Sequence, residues 1–121
     1  MRVMMTAMAL LVVSVPLTLM RSALADATQE DWDKLGQPHV LEMARCEVKE
    51  VDRKLSTSLS AEVIADEAVS ACEHYLEPLR EVLASEPFSN GPQEIQEVID
   101  DLKAQARSDL AADVEKRRKG D

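Results

Sequence analysis

Apolar residues recur at alternating spacings of three and four from Leu41 through Ala44, Val48 and Val51 to Leu55. That spacing keeps one side of an α-helix apolar, so it predicts an amphipathic helix over about 38–56. Pro38 suits its first turn, where a missing N–H costs nothing. A second pattern is clearer still. Ile64, Ala65, Ala68, Ala71, Cys72, Tyr75, Leu76, Leu79, Val82 and Leu83 fall on one side of a helix over about 60–85, with acids opposite. Ser60 is a good N-cap, and Leu59 and Ile64 occupy the positions of a hydrophobic staple. Pro78 lies inside this run and must remove one backbone hydrogen bond, which predicts a kink near His74–Glu77. The apolar stripe keeps phase across it, so a bend is expected and not a break.

Residues 86–91 form a loop by composition, with Pro87, Asn90 and Gly91, before Pro92 opens a third helix over about 92–116. Its stripe is thinner: Ile95, Val98, Ile99, Leu102, Ala106 and Leu110. The cations Lys116–Lys119 complement a helix C-terminus, and the tail is expected to fray. The segment 26–37 reads as a helical turn at most, stopped by Gly36, with Trp32 and Leu35 turned toward the body. No β-alternation stands out. The fold class expected is all-α, a disulfide-stapled antiparallel helical hairpin extended to a small bundle of about three helices.

The first 25 residues differ from everything that follows. Arg2 precedes an almost wholly apolar run, Val3 to Met20, and Ala23-Leu24-Ala25 stands just before Asp26. Small residues at those positions suit a signal peptidase, so cleavage is expected between Ala25 and Asp26. An uncleaved anchor is the rival, since the run is just long enough to cross a bilayer. Cleavage leaves a helical domain over 38–121 behind the 26–37 segment, periplasmic or secreted.

Charge narrows the partners. Of 14 basic and 23 acidic residues the signal takes two arginines and no acid, leaving a formal charge of −11. An acidic chain without a basic patch before its last residues argues against nucleic acid and against anionic membrane surfaces. A protein partner stays possible.

Two cysteines remain, Cys46 and Cys72, and an exported pair usually bridges. If the first two helices pair about residue 59, both cysteines stand about 20 Å above the turn at 1.5 Å per residue. Rotation argues the other way. At 100° per residue, Cys46 lies nearly opposite the Leu41–Leu55 stripe, while Cys72 lies within its own helix's apolar face. Either the first helix is rotated or distorted near Cys46, or it buries two faces against different neighbours, or the cysteines pair between chains; compartment and height favour the internal bridge.

No catalytic or cofactor constellation emerges, and no enzyme is expected. There is no Cys-x-x-Cys, no glycine-flanked serine, and no carboxylate pair in an apolar setting. His74 sits near Glu67, Ser70, Glu73 and Glu77, but no second histidine or free cysteine completes a metal set. The functional clue is the wide, alanine-rich face of the second helix. Ile64, Ala68, Tyr75 and Leu79 would form an interaction face if part of it stays uncovered.

The Ala23-Leu24-Ala25 cut, the early Trp32, Cys46 and the helix Ser60-Ala-Glu-Val-Ile-Ala-Asp-Glu-Ala-Val-Ser-Ala-Cys72 resemble small exported two-cysteine helical proteins of unknown function in proteobacteria. That resemblance spans most of the chain after the signal and implies no activity. In outline alone the chain is similar to periplasmic acid-stress chaperones, which are also small, helical and stapled by one disulfide. The expectation is thus a non-enzymatic structural or protein-interaction module. A stress-responsive chaperone exposing the second helix's face is one alternative, and a metal- or ligand-binding protein using His74 is another.

Overall fold

The computed structural model describes residues 27–120. The expected signal peptide and its Ala25–Asp26 cut lie outside the described residues. Within them the fold is all-α. A short helix α1 (Gln29–Asp31) runs through a π-helical turn (Trp32–Gly36) into α2 (Gln37–Lys54). Helix α3 (Ala61–Cys72) continues through a 3₁₀ turn (Glu73–Leu76) into α4 (Glu77–Ala84). Helix α5 (Pro92–Arg118) then packs along α3, whose other side receives α2. The result is a three-helix bundle.

Local chemistry explains most boundaries. Thr28 and Asp31 form a reciprocal capping box that starts α1. Ser60 Oγ accepts from the Val63 N–H and starts α3. At Pro78 the helix tightens and does not break. The His74 carbonyl, deprived of a donor on Pro78, accepts instead from the Glu77 N–H, giving the 3₁₀ turn. The stripe does keep phase: Cys72, Leu76, Leu79 and Leu83 are all buried. Ala71, however, is exposed, and Tyr75 and Val82 are half-buried.

Three local expectations are corrected. Gly36 does not stop a helix, because the backbone turns through it into α2. Its Cα instead lies against the face of Trp32, which is fully buried and donates from Nε1 to Gln37 Oε1 at 2.9 Å. Leu35, expected beside the indole, is 42% exposed. The tail, expected to fray, is tied down.

Arg118 does that work over a long range. Its guanidinium donates to the carbonyls of Leu55 (3.3 Å), Thr57 (2.9 Å) and Leu59 (2.6 Å), the turn joining α2 to α3. Arg117 pairs with Asp52 and, at 3.6 Å, with Asp113. The planar fork meets three diverging acceptors at once, which an ammonium cannot imitate. Arg118→Ala is expected to cost about 1–2 kcal/mol, the modest figure reflecting solvent exposure, and Arg118→Lys to recover less than half. Chemical denaturation of the three proteins checks this; equal midpoints for lysine and arginine would remove the geometric argument.

Candidate functional site

The stripe expected to bury α2 is not the face that is buried. Val40, Met43, Ala44, Glu47 and Val51 are inside, while Val48 is 44% exposed and Leu41 and Leu55 are half-buried. At 100° per residue the helix is turned by roughly 60° toward Cys46. The disulfide supplies the reason. Cys46 and Cys72 are bonded within the chain, with Cα atoms 5.8 Å apart, which requires Cys46 at the edge of the contact with α3. Closing a 26-residue loop is worth about 3.5 kcal/mol in the chain-entropy model, more than the cost of leaving one valine partly wet.

Turning α2 carries Glu47 into the core. It is 1% exposed, and its Oε2 has no hydrogen-bond partner. Burial alone raises its pKa from the ordinary 4.5 to about 8, because no cation is near enough to favour the charged form. The carboxyl is therefore neutral at pH 7. A buried acid with an unpartnered oxygen and a strongly raised pKa is the most unusual chemical group among the described residues. Sequence reasoning missed it. The signal existed, since Val40, Ala44, Glu47 and Val51 also recur at spacings of four, three and four.

Grooves open on the surface among the described residues. One, of about 540 Å³, is lined by Ser70, Glu73, His74, Glu77, Arg80 and Lys103. Its charges are already matched: Lys103 Nζ lies 2.8 Å from Glu73, and Arg80 Nε donates to Glu77 at 3.2 Å. The hydrogen bond from Lys103 holds the Glu73 pKa below its ordinary value, helped by the fields of Lys103, Arg107 and Arg80. Glu67, grouped with His74 in the sequence reading, pairs with Lys54 at 2.7 Å. Among the described residues no group of three or more His, Cys, Asp or Glu is placed to hold a metal ion. His39 is half-buried at the start of α2.

The second groove, of about 480 Å³, lies between α3 and α5 and is lined by Glu62, Val63, Asp66, Arg107, Ser108 and Ala111. Its wall is mostly apolar, and Val63 is 40% exposed there. The face formed by Ile64, Ala68, Tyr75 and Leu79 is covered in this fold. Ile64, Ala68 and Leu79 are fully buried beneath the neighbouring helices, with Tyr75 half-buried against the core. No family model, curated protein or solved structure matches this chain. Among the described residues no helix is long and apolar enough to cross a membrane.

Proposed function

We propose that this is an exported, non-enzymatic protein-interaction module, built as a disulfide-stapled helical bundle. The export half of this reading rests on the apolar leader ending Ala23-Leu24-Ala25 and on a disulfide that needs an oxidising compartment. The interaction half rests on one observation. Val63 stays 40% exposed in an apolar groove between α3 and α5, while nearly every other large apolar side chain of those helices is consumed by the core. A shallow apolar trough edged by Glu62, Asp66 and Arg107 suits a partner's aliphatic side chain with polar flanks.

The chaperone alternative requires the covered Ile64–Leu79 face to open in acid. Glu47 works against that, because it is already protonated in the folded state and acid adds no charge to the core. Site-specific photo-crosslinking in the exporting cell tests the leading reading. A crosslinker at Ser108 is expected to give a discrete adduct that Val63→Asp abolishes, while a crosslinker at exposed Gln96 gives none. The same adducts from both positions, or none from Ser108, would exclude the groove as the interaction site.

A further inference from the structure

The anchors on α2 are unevenly placed. Glu47 stands one residue after Cys46, whose bond to Cys72 pins the middle of the helix to α3. Beyond Glu47 the helix and its loop are fixed again, by Lys54–Glu67, by Arg117 on Asp52, and by the three carbonyls on Arg118. Among the described residues before Cys46 nothing comparable is found. Among the described residues, every side-chain hydrogen bond and ion pair of 27–45 stays within that segment: Thr28–Asp31, Gln29–Asp33, Trp32–Gln37 and Glu30–Lys34. This arm is held to the bundle by packing, chiefly Trp32, Val40 and Met43 against the 3₁₀ turn and α4 side of the core.

We propose that Glu47 is a latch: when its carboxyl ionises, the arm 27–45 swings away from the 3₁₀ turn and α4, while the stapled and clamped remainder stays closed. The physical reason is solvation. A carboxylate in an apolar core with its Oε2 unpartnered gains most by reaching water, and the shortest route is to move the one neighbouring segment that has no polar tether. Among the described residues, no other ionisable side chain is buried. On α2, Glu50 is engaged with Arg53 and Lys54. The charged and titratable groups of the elements packed around it stand on exposed or half-exposed positions, among them Asp33 and Lys34 of the π turn, Glu62, Asp66 and Glu67 of α3, Glu73, His74 and Tyr75 of the 3₁₀ turn, Glu77, Arg80 and Glu81 of α4, and Lys103 and Arg107 of α5. The only buried polar residues are Glu47 and Asn90, among those described. Ordinary Glu chemistry in the open state and raised affinity for the proton in the closed state make opening easier as pH rises.

Trp32 is the chain's single tryptophan and sits in the arm, so it reports opening directly. Acrylamide quenching of the oxidised protein is expected to rise several-fold between pH 6 and pH 9.5, and to stay flat in Glu47→Gln and Glu47→Met. Hydrogen exchange, corrected for intrinsic rates, is expected to show the opening constant of the arm rising about a hundredfold from pH 6 to pH 8, tenfold per unit. At each pH, protection in 48–59 and in α5 should stay well above that of the arm, since those amides exchange only through the costlier global unfolding. The proposal is overturned by equal quenching at both pH values, by a rise that persists in both variants, or by the arm and α5 exchanging with one common opening constant.

Discussion

Replacing Glu47 by methionine is expected to stabilise the protein by several kcal/mol at pH 8 and to remove most of its pH dependence between pH 5 and pH 8. The unfolded chain binds this proton with the ordinary pKa of 4.5, and the folded chain holds it until about pH 8. Between those values the folded state carries a proton that the unfolded state has lost. Stability therefore falls as pH rises through the window, by about 1.4 kcal/mol per unit. It is fully present below pH 4.5 and at its lowest above pH 8. Across the whole window the loss is about 4–5 kcal/mol, a large part of the total for so small a domain. Methionine fills a similar volume and asks for no hydrogen bond.

Glutamine should also flatten the profile, but at lower stability, since its amide needs partners that the Glu47 Oε2 does not find. Denaturant midpoints at pH 5, 6, 7 and 8 for the three proteins decide the matter. Parallel curves for wild type and methionine would mean that Glu47 is solvated or paired in solution. The pairing of Glu73 with Lys103 acts at the other end of the scale. Its lowered pKa makes it a source of stability that fades only as the solution becomes acidic, so it does not confuse the window assigned to Glu47.

Gly36→Ala is expected to destabilise the protein by about 2–4 kcal/mol, although alanine is the better helix former. A Cβ at this position would lie 2.4 Å from Cε3 and Cζ3 of Trp32. The atom it meets is not the free end of a flexible chain. It belongs to a rigid ring that is fully buried and anchored through Nε1 to Gln37. Overpacking of this kind typically costs about 1–3 kcal/mol, and expelling a tryptophan costs more, against roughly 1 kcal/mol returned by helix propensity.

The π-helical turn enters the same argument. Its extra residue lets the Gln37 N–H reach the Trp32 carbonyl, and it aims the indole back across Gly36. A double-mutant cycle with Trp32→Leu separates the clash from backbone effects. The alanine penalty should shrink to near zero, or change sign, once the ring is gone. A Gly36→Ala protein with unchanged melting temperature and unshifted tryptophan emission would show that the ring moves freely.

The sequence by itself determined the three long helical segments, though not their continuation through Gly36, because helical periodicity, capping and proline placement are local properties. Ser60 capping α3, the bend before Pro78 and the start of α5 at Pro92 follow from neighbouring residues alone. So does the buried stripe of α5 through Ile95, Val98, Ile99, Leu102 and Leu110, which has no rival on its helix. Helix α2 is different. Two stripes roughly 60° apart share Ala44 and Val51, one completed by Val48 and the other by Val40 and Met43 with Glu47 among them. Hydrophobicity favours the first, since it buries a valine and spares a carboxylate.

Only the tertiary structure decided between them. The bond to Cys72 fixes where Cys46 must stand, and a rigid helix cannot satisfy it while facing Val48 inward. Glu47 follows as a consequence of that rotation. Gly36 and Arg118 share the same character, for a space beside an indole and three carbonyls some 60 residues away leave no periodic trace in the chain. Periodicity says that a helix has an inside; which side that is depends on what the rest of the chain brings to meet it.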